Sequence, residues 1–280
     1  PLGVADQTSW GEYSKAHDIQ IPSGLKAGDK VIRMIDPATG TGTFLLEWIR
    51  QAEANLRKAG KYSPTAMKSV VEQMDAFEIS LSSYAVAHLK TSLELDPSLR
   101  AETHLGIRLT DTLAGKENEE LLLFDDDPIA LEGHLAEQVK FERRHSVVIG
   151  NPPYDRVDRK SAGGWIAHPS GGGRSLFDDI HDPAKANTSF AHQASLYNLY
   201  VYFWRWGIWK VFEQTSGGPG ISCFITASSW LTGPGFLGLR QLARHRSTSL
   251  YVVDLHGSPL DANPDENIFD IETAVAVVFL

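Results

Sequence analysis

Short apolar runs alternate along the chain with longer stretches in which apolar residues recur at helical spacing. Val31 to Ile35 leads straight into a Gly-rich turn, the mark of a buried parallel strand. Phe44 to Ala59 follows, with Phe44, Leu45, Trp48, Ile49 and Ala52 spaced as a helix that Gly60 closes. A second strand is predicted at Met74 to Glu78. The helix after it, Leu81 to Leu93, gathers Leu81, Tyr84, Ala85, His88 and Leu89 on one face. Leu105 to Leu109 and Ser146 to Ile149 read as the third and fourth strands. An aromatic helix from Leu196, a strand at Ile221 to Thr226, a helix at Phe236 to His245 and a strand at Tyr251 to Leu255 complete the series. Ile268 to Leu280 looks like a further strand entering a hairpin. Strands that alternate with helices predict an α/β fold with a doubly wound, mostly parallel sheet.

The polar stretches set the organisation. Residues 1–28 are polar and broken by Gly3, Pro22, Gly24 and Gly28, so they read as an arm or the end of a preceding region. Residues 29–280 are expected to form one domain, divided into halves at 29–145 and 146–280 that each carry one of the two motifs described below. The Gly/Ser/His-rich stretch 155–190 is expected to be a long loop. The chain starts without Met and ends in an apolar run, so it reads as a piece of a longer protein.

Composition narrows the class. With 42% hydrophobic and 22% charged residues, the 280-residue chain is an ordinary globular protein. The most apolar helix, Leu196 to Phe212, is broken by Asn198, Arg205 and Lys210, and no membrane span is expected. No secretory signal is read in residues 1–18, and Cys223 is the single cysteine; a reducing cytoplasm is expected on both grounds. The net charge of −9 argues against nucleic acid, but the charges are segregated. Acid gathers in Glu117 to Asp127. Arg156, Arg159, Lys160 and Arg174 form a basic group that is a candidate for DNA contact.

Two motifs carry chemistry. In Asp36-Pro37-Ala38-Thr39-Gly40-Thr41-Gly42-Thr43-Phe44, between a strand and a helix, Gly40 and Gly42 let the backbone turn sharply and approach a ligand. Leu45 stands where a dinucleotide fingerprint needs its third glycine, and no G-K-[ST] follows, so the ligand need not carry phosphates. An acidic residue ending the next strand can accept both hydroxyls of a ribose; Glu78 is so placed, with Asp75 as a substitute.

The second motif is Asn151-Pro152-Pro153-Tyr154. Its two prolines fix the backbone and hold the Pro152 carbonyl in a set direction. The turn offers an amide, a carbonyl and an aromatic ring. Accepting both N–H bonds of an exocyclic amine, by the Asn151 side-chain oxygen and the Pro152 carbonyl, favours a pyramidal and more nucleophilic nitrogen. Tyr154 offers a face on which a flipped base can stack.

The glycine motif followed about 110 positions later by Asn-Pro-Pro-Tyr resembles the N6-adenine DNA methyltransferases. More particularly, it is similar to those of the gamma arrangement inside large bacterial restriction-modification or phage-defence proteins, such as single-chain helicase–methyltransferase restriction enzymes. The resemblance implies a class I S-adenosylmethionine-dependent fold, S-adenosylmethionine as methyl donor and double-stranded DNA as partner. It also implies further domains in the same chain: a target-recognition domain, expected beyond residue 280, and helicase or nuclease functions. By the same resemblance Asp36, Pro37, Ala38, Thr39, Gly40, Gly42 and Phe44 surround the cofactor and Glu78 holds its ribose. Asp111 lies near its adenine moiety, and Phe269 falls near a motif whose aromatic touches the flipped base. The implied reaction is direct in-line methyl transfer to N6.

Two other readings stay open. The same Asn-Pro-Pro-Tyr occurs in enzymes for protein glutamine amides or guanine N2 in RNA, and a non-catalytic cofactor- and DNA-sensing module is a third class. The ten histidines show no metal-ligand spacing, and no metal is predicted. The aromatic series from Tyr197 to Phe212 runs at helical spacing and reads as core.

Overall fold

The computed structural model describes residues 3–116, 128–156, 163–169, 171–214, 218–257 and 273–280. The chain divides into two compact units. One comprises Pro1–Thr112, Lys116–Gly150 and Lys210–Gly220; the other comprises Leu113–Gly115, Asn151–Trp209 and Ile221–Leu280.

The first unit runs α1 (Trp10–His17), β1 (Met34–Asp36), α2 (Thr43–Lys58), α3 (Pro64–Val71), β2 (Met74–Glu78), α4 (Leu81–Glu94), α5 (Pro97–Arg100), β3 (Gly106–Leu109), α6 (Pro128–Glu137) and β4 (Val147–Gly150). Its strands lie in the order β3-β2-β1-β4, all parallel, with Ile35 opposite Asp75 on one side and Val148 on the other. The chain reverses its direction of winding at β1, and such a switch point opens a crevice at the carboxyl ends of the strands. Helix α2 buries Leu45, Trp48, Ile49, Ala52 and Leu56 against this sheet's core. The expected Rossmann-like α/β class is borne out, and β2 has the expected bounds.

One expectation is corrected within this unit, and helices α1 and α3 stand where the sequence reading places none. The arm is not featureless: Ser9 and Glu12 form a reciprocal capping box that starts α1, and Trp10 is only 1% exposed. Helix α3 went unread, although Ser63 caps it and Pro64 opens it. In α4 the expected apolar face is only partly inward: Tyr84 packs on the core and His88 reaches the Ile107 carbonyl, but Leu81 is 66% and Leu89 60% exposed. Small residues decide the packing there, because Ala87 and Thr91 are the buried positions.

A buried charge cluster braces the amino ends of these strands. Asp75 accepts from Arg143 at 2.9 Å and from His145 Nε2 at 2.8 Å, and Arg33 lies 3.8 Å away. Burial alone would raise the Asp75 carboxyl, but His145, Arg143 and Arg33 outweigh it and hold it at about 2. Burial and the Lys210 charge push the His145 imidazole down to about 3, against the pull of Asp75. Lys210, fully buried, donates to the carbonyls of Val139, Lys140 and Arg143 at 2.7 Å each, which satisfies the π-helical stretch Gln138–Glu142.

The second unit runs α7 (Gly164–Ala167), α8 (Asp178–Asn187), α9 (Phe190–Gln193), α10 (Leu199–Ile208), β5 (Ile221–Ala227), α11 (Ser229–Thr232), α12 (Leu237–Arg246), β6 (Tyr251–Asp254) and β7 (Val275–Phe279). Strand β7 lies between β5 and β6, antiparallel to both. Helix α10 is buried from Tyr200 through Ile208, and Trp204 packs edge-on against Phe224 with ring centroids 4.9 Å apart. The aromatic series is therefore core, as its spacing predicts. The expected loop 155–190 is corrected over its described part, which carries α7 and α8. Ile166, Phe177, Ile180 and Ala184 are buried there and supply the apolar anchors that a structureless loop lacks. No helix of the described residues is long and apolar enough to cross a membrane.

The cluster predicts acid sensitivity. His145 is held neutral below its ordinary value of 6.5, so its stabilising share is complete above about pH 6.5 and is lost as pH falls from there towards 3. Asp75, held low, adds a loss at still lower pH. Unfolding free energies from urea titrations between about pH 7 and about pH 4 should fall by up to about 1.4 kcal/mol per pH unit. His145→Asn should flatten that slope; a variant with the wild-type slope would exclude His145 as its source.

Candidate active site

In the first unit the chain leaves β1 at Asp36 and enters α2 at Thr43 through a loop stitched to its neighbours. Gly40 and Gly42 take φ of +56° and +84°, the left-handed region that a side chain resists. The Thr39 amide donates to the Phe77 carbonyl at 3.0 Å and the Gly40 amide to Glu78 Oε2 at 2.8 Å. The Thr112 hydroxyl donates to the Pro37 carbonyl. A Cβ at Gly42 would come within 3.3 Å of Ala87 Cβ on α4, whereas nothing lies within 4 Å of a Cβ at Gly40. Gly42 is therefore a packing glycine, and Gly40 faces open space.

The acidic residues divide into different roles. Asp36 is fully buried; its Oδ1 accepts from the Ala38 amide at 3.1 Å, while Oδ2 is buried without a hydrogen bond of good geometry. Burial pushes its carboxyl up to about 7, against the pull of the Ala38 amide and the Thr39 hydroxyl. Glu78, half-buried, accepts from Gly40 and, through Oε1, from the Ser80 amide at 2.8 Å. Asp75 does not substitute for it, because it points to the opposite face of β2, into the buried cluster. Asp111 is exposed just past β3, whose Leu109 is in register with Glu78, and its carbonyl accepts from Lys140 Nζ at 2.7 Å. Phe44 is half-buried on the first turn of α2. Ile79 went unread: it follows Glu78 and is 71% exposed, an apolar surface beside the loop. An isoleucine directly after the strand-ending acid was the signal available.

In the second unit the turn Asn151–Tyr154 begins one peptide bond after β4. Asn151 is exposed, Pro152 buried, and Pro153 and Tyr154 half-buried. The Tyr154 hydroxyl donates to Asn151 Oδ1 at 2.8 Å, which fixes the orientation of the amide. Burial, with the neighbouring Tyr200, pushes the Tyr154 phenol up to about 12, so it stays a neutral donor. No hydrogen bond among the described residues uses the Pro152 carbonyl.

The remaining candidates are placed unevenly. Arg156 is exposed after the turn. Arg174 is engaged by Asp182 at 2.7 Å and by Asp179 at 3.1 Å. Arg159, Lys160 and Phe269 lie outside the described residues. Ligand atoms of Asp178, His181 and Asp182 fall within 4.8 Å of one another on α8, a grouping that carries its own counter-charge in Arg174.

Comparison with known proteins identifies this combination. The family model described as Eco57I restriction-modification methylase matches residues 74–259. The chain belongs to that family. As an Eco57I-type methylase it falls in the expected enzyme class, a methyltransferase of restriction-modification systems. No curated protein matches the chain. Among solved structures it is similar to the ATP-dependent Type ISP restriction-modification enzyme LlaBIII bound to DNA, at 24% identity and TM-score 0.70, over 100% of this chain and 18% of that one. A nuclease-deletion mutant of the Type ISP enzyme LlaGI, in complex with a DNA substrate mimic, gives 24% identity and TM-score 0.69 over 100% and 22%. The DrdV–DNA complex gives 22% and 0.64 over 99% and 25%. These likenesses establish the fold, and the chain spans a quarter or less of each of those three proteins.

The two loop glycines should differ on substitution. Both meet left-handed strain, on the order of 1 kcal/mol. Only Gly42→Ala also meets Ala87, so it should lose about 1 kcal/mol more than Gly40→Ala in urea denaturation. Equal losses would show that the approach of α4 does not constrain the loop.

Proposed function

We propose that this Eco57I-type methylase transfers a methyl group from S-adenosylmethionine to the N6 amine of adenine in DNA, as the methylase part of a larger restriction or phage-defence polypeptide. The observation that carries the chemistry is the Asn151 amide, exposed, oriented by Tyr154 and adjacent to a Pro152 carbonyl that no hydrogen bond among the described residues uses. Two fixed carbonyl oxygens are what an exocyclic amine presents its hydrogens to. The DNA substrate and the larger polypeptide are supported by the family and by the nature of the similar solved proteins.

The cofactor loop fits S-adenosylmethionine on two grounds. Asp36 has a buried oxygen in want of a donor, which an ammonium group would supply, and Gly40 leaves room for a ligand against the backbone. In this reading Asp36, Pro37, Ala38, Thr39, Gly40, Gly42 and Phe44 surround the methionine part and Glu78 takes the ribose with its remaining lone pairs. Ile79 gives the adenine ring an apolar surface, with Asp111 at the rim. When bound, S-adenosylmethionine supplies a methyl group on a cationic sulfur, open to displacement by an amine.

The catalytic residues act on the amine. Asn151 Oδ1, with one lone pair engaged by Tyr154, accepts one N6 hydrogen, and the Pro152 carbonyl accepts the other. As the nitrogen takes on its fourth bond it becomes positive, and both hydrogen bonds become charge-assisted. Neither carbonyl is basic enough to keep the proton, which leaves to water. Tyr154 lies under the base, and Pro153 holds the turn rigid. Arg156, Arg159, Lys160 and Arg174 are proposed to meet phosphates, and Phe269 to touch the base.

Two measurements test this. Asn151→Ala should lower methyl transfer by at least about a hundredfold, the worth of one such acceptor, while S-adenosylmethionine affinity stays within about threefold. Mass spectrometry of DNA nucleosides should find N6-methyladenine with the wild type; label appearing in protein or RNA instead would refute the choice of substrate. Because Asp36 must be ionised to pair with an ammonium group and titrates at about 7, cofactor affinity should fall on acidification. Calorimetry from about pH 7.5 down to about pH 5.5 should show a loss on the order of tenfold. Asp36→Asn should remove the pH dependence, and a pH-independent wild type would remove Asp36 from this role.

A further inference from the structure

Helix α10 does more than fill the core of the second unit. Its first residues run antiparallel to the end of the Asn-Pro-Pro-Tyr turn and meet it one to one. Asn198 forms an isolated antiparallel bridge with Arg156. The Leu199 amide donates to the Asp155 carbonyl at 2.9 Å. The Tyr200 ring stands edge-on to the Tyr154 ring, with centroids 6.1 Å apart and planes at 84°. Tyr200 is itself immobilised: it is 2% exposed, its hydroxyl lies 3.4 Å from Ser229 Oγ, and its ring leans on Phe236 at 6.1 Å. A ring fixed at a right angle to its neighbour limits the planes that the neighbour can take.

We propose that Tyr200 is a positioning residue, which holds the Tyr154 ring in the plane on which the target base stacks. Through the Tyr154 hydroxyl it also holds the Asn151 amide. The inference deepens the methyltransferase reading and rests on it. It assigns the contact to the ring of Tyr200, not to its hydroxyl. Tyr200→Phe should therefore preserve what Tyr200→Leu destroys.

The test has a spectroscopic arm and a kinetic arm. With 3-fluorotyrosine placed at position 154 alone, the fluorine resonance should keep its position in Tyr200→Phe and should move or broaden in Tyr200→Leu. A second variant guards against a failure to fold. Leu199→Pro removes the amide that ties Asp155, together with a half-buried leucine side chain, at a first helical position that tolerates proline and behind an Asn198 already extended at φ −92° and ψ 140°. It should move the resonance as well. A resonance unmoved by the folded variants overturns the proposal. On duplex DNA, kcat should fall about tenfold in Tyr200→Leu and stay near wild type in Tyr200→Phe, with KM for S-adenosylmethionine unchanged. That loss should vanish when the same change is made in a Tyr154→Leu background. An additive loss would show that Tyr200 acts by another route, which also overturns the proposal. If the wild-type protein methylates no adenine, the functional reading falls, and the fluorine arm still decides the role of Tyr200.

Discussion

A single carboxylate ties the glycine loop of the first unit to its neighbouring strand and helix. Glu78 ends β2 and accepts two backbone amides, from Gly40 in the glycine loop and from Ser80 at the cap of α4. A loop with two left-handed glycines has many conformations open to it, and glycine loses more freedom on ordering than any other residue. Tying the loop to the neighbouring strand converts that freedom into one shape. Glutamine would not serve, since its single acceptor oxygen cannot give each amide its own partner in this geometry. The Phe77 carbonyl and the Thr112 hydroxyl add two further ties from the same side. The strand-ending acid is thus a scaffold first, and its remaining lone pairs are what a ribose would use.

Two buried aspartates in the same unit show how partners, and not burial, decide what a charge is for. Asp75 and Asp36 are both almost fully buried. Asp75 has two close donors and a second guanidinium, so it stays ionised far below the usual carboxylate range. Its charge is balanced, and it braces the fold. Asp36 has one backbone amide of good geometry and an oxygen left over, so burial dominates and its proton is held near neutrality. A group left so costs stability unless something arrives to complete it. The proposed ammonium partner is the chemical complement of that deficit.

The fold was largely legible because buried parallel strands and amphipathic helices leave strong periodic signals. Met74 to Glu78 is read to the residue, and Thr43–Lys58 lies within a residue of its predicted helix. The failures have specific causes. In α4 the larger apolar residues invite an inward reading, but Gly42 demands a neighbour no bulkier than Ala87, and close approach outranks hydrophobicity there. The capped starts of α1 and α3 are local signals in polar surroundings, easily passed over when apolar periodicity is the guide. Of the candidate site, the motifs themselves were readable. What was not readable was long-range pairing, such as Asp75 with His145 seventy residues later, or Tyr200 against Tyr154. No periodicity encodes which face of a strand meets which distant side chain.

The distribution of cations bears on how such a protein could hold DNA. In the second unit, Arg205 is buried and spent on the Leu176 carbonyl and Asp179. Arg240 is spent on the carbonyls of Trp230 and Gly233. Affinity for duplex depends on cations free to replace condensed counterions, roughly one per phosphate met. Residues committed to backbone carbonyls cannot leave without orphaning buried acceptors, so these two arginines are structural. Arg174 differs, because its partners Asp179 and Asp182 and its own side chain are at the surface, where an ion pair exchanges readily for a phosphate. With a net charge of −9, this chain is poorly equipped to grip DNA by electrostatics alone. The proposed role therefore asks the rest of a larger polypeptide to supply affinity and sequence choice, and this part only the chemistry.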